Sequence, residues 1–308
     1  MLYNRILITG ANGLLGQSLV ARMSRFPEYD VLATGRDDTP RFREGSCGYV
    51  PMDITDHDEV EAIFQDFAPN VVVNCAAMTQ VDDCEDNRSA CWAVNARAVR
   101  HLASCCRDQG ARLVQVSTDF VFDGEDGPYR EGDRPNPVNY YGRSKLAGEN
   151  ATRDAGLSKW AIARTMLLFG TAHDMGRSNI VLWMIDQLSQ GEPIYVVTDQ
   201  YRMPTYVDDL AEGIERMIHY EKTGLYHLSG RDLVSIHDLA QTVADVFGFD
   251  ASLIHPVESD YFDSAADRPP RTGFIILKAE TELGYKPRPL RKALRHLGAK
   301  LDLPVASS

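Results

Sequence analysis

The stretch RILITGANGLLG, residues 5–16, carries the reading of the chain. RILIT is a short apolar run rich in β-branched residues, the pattern of a buried strand. Gly10, Gly13 and Gly16 follow with G-x-x-G-x-x-G spacing, directly after that strand and at the start of a helix. A tight turn needs the first glycine, close backbone approach to a pyrophosphate needs the second, and close packing of helix on strand needs the third. The helix N-terminus then offers free N–H groups and partial positive charge to phosphates. Gly10, Asn12, Gly13, Leu14 and Gly16 are therefore the expected dinucleotide-binding residues.

Outward from this turn the pattern repeats. VLATG (31–35), VVVNC (71–75) and RLVQVS (112–117) are further strand-like runs. Between them, Val60, Ile63, Phe64 and Phe67 form one helical stripe, and Trp92, Val99, Leu102, Ala103 and Cys106 a second. Both stripes are expected to be core. Apolar strands alternating with helices indicate an α/β fold, a Rossmann-type doubly wound parallel sheet. Residues 1–170 are expected to form this nucleotide-binding domain, with part of 195–230 returning to it. Residues 171–308 are read mainly as a smaller α/β substrate-binding subdomain, with helices over 178–189, 207–219 and 236–247 and strands at IYVV and LYHLS. The Pro- and Arg-rich stretches 268–271 and 286–291 read as irregular loop.

Composition narrows the function. The chain has 308 residues and a net charge of -12, which disfavours nucleic acid and anionic membranes as partners. The start, MLYNRILITG, lacks the long apolar region of a signal peptide, and no window approaches a membrane span, so a cytoplasmic location is the default expectation. Six cysteines include no C-x-x-C pair, which argues against a zinc ribbon or thioredoxin-type site.

The end of the second strand bears on the cofactor. An acid there would suit a ribose 2′-hydroxyl, but the chain reads ATGRDD, with Arg36 in place. A guanidinium suits a 2′-phosphate, so NADP(H) is preferred; Asp37 and Asp38 could accept ribose hydroxyls and keep NAD(H) open. Asp53, with Ile54 beside it in MDITD, is read as an adenine contact or else as the N-cap of the next helix.

Three later motifs are more specific: NCAAMTQVDDCE, VSTDFVFDG and YYGRSKLAGE. With the glycine turn they resemble the extended short-chain dehydrogenase/reductase family. RPNPVNYYGRSKLAGE, DQYRMPT and DDLA resemble its dTDP-4-dehydrorhamnose reductases in particular. The resemblance implies an NADPH-dependent reduction of a nucleotide-linked 4-keto-6-deoxysugar, with Thr118, Tyr141 and Lys145 catalytic and Tyr140 structural. The chemistry agrees. A ketone that receives hydride becomes an alkoxide, and a phenol can protonate it. A neighbouring ammonium favours phenolate, so Lys145, one turn from Tyr141, is expected to lower its pKa and to reach the nicotinamide ribose as well. Thr118 is expected to hydrogen-bond the carbonyl and stabilise developing negative charge.

Other positions follow from the resemblance. Ala76 and Ala77, like Tyr141 and Lys145, border the cofactor; Thr79 and Val81 approach substrate; and Asn95 supports the active-site helix. Asp119 either positions substrate or caps its turn. Arg202 reaches a substrate phosphate or faces solvent, and Arg268 meets the nucleotide diphosphate. Departures bear on the substrate: Phe120 replaces a tyrosine, Leu167 stands where a tryptophan is common, and Arg271 where some members have asparagine. An aromatic wall of the sugar or base pocket is therefore expected to be missing. A homodimer is a family-level expectation. A magnesium ion, which some members hold at a dimer contact, is left open, since no carboxylate set with recognisable spacing is present and no metal ligand is assigned. Two other readings stand beside the reductase: an NAD-retaining epimerase or dehydratase, and a noncatalytic subunit like that regulating methionine adenosyltransferase.

Overall fold

A computed structural model describes residues 4–42, 47–176 and 178–306; Met1 to Tyr3, part of the N-terminal stretch read above, lie outside them. Six strands, β1 (Asn4–Thr9), β2 (Tyr29–Gly35), β3 (Gly48–Pro51), β4 (Val71–Asn74), β5 (Arg112–Thr118) and β6 (Trp160–Thr165), join one sheet. An edge strand, Gly224–His227, completes it beside β6. The order is edge strand, β6, β5, β4, β1, β2, β3, with every pair parallel. The strand order reverses between β1 and β4, and the crevice beyond their C-terminal ends is where ligands bind such sheets.

Helices α1 (Leu14–Met23), α2 (His57–Phe67), α3 (Val81–Asp86), α4 (Arg88–Trp92), α5 (Ala98–Gln109) and α6 (Tyr140–Asp154) belong to the first half. Val60, Ile63 and Phe64 are buried as their stripe predicts. Trp92 is not. It is 37% exposed, because a π-helical turn over Ala93–Arg97 adds to the backbone between Trp92 and Val99 and breaks the phase of the stripe.

Beyond β6 the chain forms α7 (Ile180–Ser189), α8 (Val207–His219), α9 (Ile236–Phe247), α10 (Leu277–Leu283) and α11 (Leu290–Lys300). The last corrects the loop reading of 286–291: Pro289 is the N-cap of a helix that buries Leu290, Leu294 and Leu297. A second core gathers α7, α9, α11 and the strand Ile194–Val197. α8 instead returns to the sheet, where Ser18 of α1 donates to Asp208 (3.3 Å) and Arg22 pairs with Glu215 (3.3 Å). No helix among the described residues is long and apolar enough to cross a membrane.

Candidate active site

At the end of β1, Gly10 has φ +65, and a Cβ there would lie 2.7 Å from the Ala76 backbone nitrogen. A Cβ on Gly16 would overlap the Gly10 carbonyl oxygen. These two glycines let α1 start against the tip of β4. Gly13 caps α1 without any side-chain bond, so its first-turn N–H groups face a cleft of about 550 Å³. Asn12, Leu14, Ala77, Thr79 and Lys145 also line it. So does Thr165 at the end of β6, whose buried hydroxyl has no partner among the described residues. A glycine cradle, open N–H groups and an orphaned hydroxyl together fit a dinucleotide.

Beyond β2 the structure brings an arginine to the cleft. Arg36 is exposed just after β2, and Arg41, held on Asp37 (Nε–Oδ2 2.9 Å), lines the cleft along with Lys145. Asp37 also accepts from Asn12 of the glycine turn (2.8 Å). Asp53 accepts from the Thr55 amide and hydroxyl (2.8 Å each), while Asp56 caps α2. Ile54 is buried in the core, and Ala76 packs partly buried against the same cluster.

A second cavity, of about 800 Å³, lies between the sheet and the C-terminal core. Thr79, Thr118, Tyr141 and Leu167 line both cavities; Val81, Asp119, Arg202 and Arg268 line only the second. Thr118 and Tyr141 thus stand at the junction, from β5 and the first turn of α6. Asn139 caps α6 by accepting from the Gly142 amide (2.8 Å), which fixes where that turn begins. Asn95, in the π-helical turn, holds both backbone groups of Met78 (2.9 Å each) and donates to Ser144 (3.0 Å), bracing α6 from behind.

The electrostatics correct one expectation. Burial pushes the Tyr141 phenol well above its ordinary pKa, opposed by its hydrogen bond with Thr118. The Lys145 ammonium, one turn on, is itself buried and donates to the Val116 carbonyl (2.8 Å), and burial of the phenol outweighs the help that ammonium gives the phenolate. Burial brings Lys145 down to about 8, against the opposing field of Glu149.

Asp119 and Arg202 are both buried and hold each other (3.5 Å). Burial raises the Asp119 carboxyl, against Arg202 and a bond from Thr272. Arg202 neither faces solvent nor keeps a free guanidinium: it donates to the carbonyls of Tyr201 (2.7 Å), Pro269 (2.6 Å) and Pro270 (3.3 Å). It anchors the 268–271 segment, and Arg202→Met is expected to cost roughly 3 kcal/mol of stability by orphaning Asp119, as read by denaturant unfolding. Arg268 pairs with Asp82 (2.5 Å) and lies a quarter exposed at the cavity wall. The aromatic wall absent at Leu167 has a replacement in Trp183 of α7, which lines the second cavity with Tyr195 and Phe262. Sequence reading missed Trp183, Thr165 and Arg41; nothing in their spacing marks them, since each is brought in from a distant segment.

Comparison with known proteins gives a consistent picture. The family model described as RmlD substrate binding domain matches residues 4–302. A probable low-salt glycan biosynthesis reductase of Haloferax volcanii is 35% identical, with 95% of this chain and 96% of that one covered. The dTDP-4-dehydrorhamnose reductase of Mycobacterium tuberculosis is also 35% identical, covering 99% of this chain and 94% of its own. The crystal structure of dTDP-4-dehydrorhamnose reductase from Bacillus anthracis in complex with NADP superposes with TM-score 0.83 at 31% identity, covering 97% of this chain and 99% of that one.

Proposed function

Because this chain belongs to the RmlD substrate-binding-domain family, we propose that it is an NADPH-dependent reductase of a nucleotide-linked 4-keto-6-deoxysugar, converting dTDP-4-dehydro-L-rhamnose to dTDP-L-rhamnose. One observation carries the reading: Thr118 and Tyr141 line both the cleft that fits a dinucleotide and the cavity beside the C-terminal core. A carbonyl entering from the second cavity meets a hydroxyl and a phenol at the point where the first one opens.

Gly10, Asn12, Gly13, Leu14 and Gly16 would hold the cofactor's pyrophosphate, with Ala77, Lys145 and Thr165 along the remainder. When bound, NADPH supplies the hydride that reduces the carbonyl carbon. The chain's own residues handle the oxygen. Thr118 donates a hydrogen bond to it as negative charge develops, worth several kcal/mol in a water-poor site. Tyr141 delivers the proton, and its raised pKa keeps the phenol protonated until an alkoxide, a far stronger base, appears. Lys145 holds a positive charge behind the phenol and lowers the cost of the phenolate that remains. Asp119 acts by holding Arg202 and Thr272 behind Thr118, and the sugar-nucleotide is bounded by Thr79, Val81, Trp183 and Arg268.

The test is direct. Purified protein is mixed with NADPH and dTDP-4-keto-6-deoxy-L-mannose, and loss of reduced-nicotinamide absorbance is followed, with NADH in a parallel arm. Rapid oxidation is the expected result; tight NADPH binding without turnover would sink the assignment. The pH profile adds a check. Lys145 loses its proton as pH rises through about 8, so kcat is expected to fall above that value. A flat profile to pH 10 would remove Lys145's charge from the mechanism.

A further inference from the structure

The Tyr141 and Lys145 spacing continues for one more turn of α6, to Glu149. This carboxylate is fully buried. It accepts from Arg164 Nε and Nη2 (2.7 Å each), from Arg153 (2.8 Å) and from the hydroxyl of Ser117 (2.7 Å), the residue before Thr118. Glu149 therefore joins the helix bearing Tyr141 and Lys145 to the ends of β5 and β6. Against burial, those bonds hold its carboxyl below the ordinary value, so it is an anion at neutral pH.

A clamp alone does not require this charge. Apolar side chains of similar volume commonly hold a helix on a sheet as well as a buried ion pair does. What they cannot supply is a field at Lys145. Among the groups facing that ammonium, Cys75 at the tip of β4 is pushed up to about 12 by burial and stays neutral. Cys84 of α3 is raised further by its contact with Cys91. Cys91 of α4, which donates to Ser144 (3.2 Å) and accepts from Asn95 (3.4 Å), is lowered by its contact with Cys84 and can also become negative. Tyr141 on the same helix stays protonated. Glu149 is thus the permanent anion behind Lys145.

We propose that Glu149 is a positioning residue that sets the charge of Lys145, keeping it an ammonium through neutral pH by a buried carboxylate one helical turn away. The proposal rests on the reading of Lys145 as a working group. Its test does not depend on turnover. In protein labelled with 13C-lysine, the Lys145 Cε resonance, identified by its loss in Lys145→Met, is titrated by NMR. Glu149→Gln is expected to lower the midpoint by about one pH unit. The double variant Glu149→Met/Arg164→Met replaces the pair without leaving an orphaned cation, and serves where the single variant fails to fold. It is expected to shift the midpoint in the same direction. Cys91→Ser is expected to leave it within a few tenths of a unit. The alkaline limb of kcat should move with the NMR midpoint while KM stays constant.

An unshifted Lys145 midpoint in the folded double variant would reduce Glu149 to a clamp. A larger shift in Cys91→Ser than in either Glu149 variant would overturn the assignment in favour of the thiol. If Lys145 titrates as expected but no variant turns over the sugar, the substrate reading fails and this one stands.

Discussion

Tyr141→Phe is expected to lower kcat by roughly 10³-fold while leaving NADPH affinity within a few-fold of the parent, since loss of a positioned proton donor costs about that much. The substitution removes one oxygen and leaves the ring. That ring meets Phe120 edge-on at 5.8 Å and packs against Cys84 and Cys91, contacts that Phe retains. The lost hydroxyl has a partner in Thr118, which keeps its bonds with Asp119 (3.1 Å) and the Phe120 amide (3.2 Å). Stability should therefore change by about 1 kcal/mol at most. Steady-state oxidation of NADPH, with equilibrium binding of NADPH measured separately, checks both halves. A loss of only a few-fold in kcat would mean that water or another side chain protonates the oxygen.

Gly16→Ala has the other large effect, on the fold and the cofactor together. The added Cβ would overlap the Gly10 carbonyl oxygen and lie 2.6 Å from the Ala11 Cα. Both obstacles are backbone, so no flexible side chain can yield, and α1 must move off the turn. A destabilisation of about 3 kcal/mol is expected, with at least about a tenfold loss of dinucleotide affinity as the first-turn N–H groups swing away. Gly13→Ala is the informative comparison. Its nearest contact is 3.3 Å and its φ of -79 suits any residue, so its unfolding midpoint should stay close to the parent's. Equal destabilisation by the two substitutions would show that α1 does not sit on the turn as described.

The parts legible in the sequence were those governed by near neighbours along the chain. The glycine turn, the strands at RILIT and VVVN, and the helix from Val207 to His219 depend on local spacing, which a linear reading captures. Trp92 was misread because a π-helical turn changes the residues per turn, and no residue type announces one. The burial of Arg202, against the alternative that it faces solvent, escaped a linear reading for a different reason. Whether an arginine reaches a ligand depends on which carbonyls surround it, and three of its acceptors were fixed by packing, two of them more than sixty residues away. The Tyr141 pKa followed the same rule: helical spacing brought Lys145 near, but burial of the phenol decided the sign. Leu167 stands where the resemblance led one to expect an aromatic wall; that Trp183 lines the same cavity required knowing where α7 docks.

The edge strand Gly224–His227 bears on how the polypeptide is made. It pairs with β6 along Ala161 to Arg164, so the sheet stays incomplete until more than two-thirds of the chain has left the ribosome. A fragment ending near residue 170 would present the backbone of β6 as an open ladder, the surface on which unfinished sheets recruit one another. The first half of the chain, with the glycine turn, is therefore poorly suited to being cut out and expressed by itself, although its motifs lie in one continuous run. Synthesis must carry it past the strand that closes it.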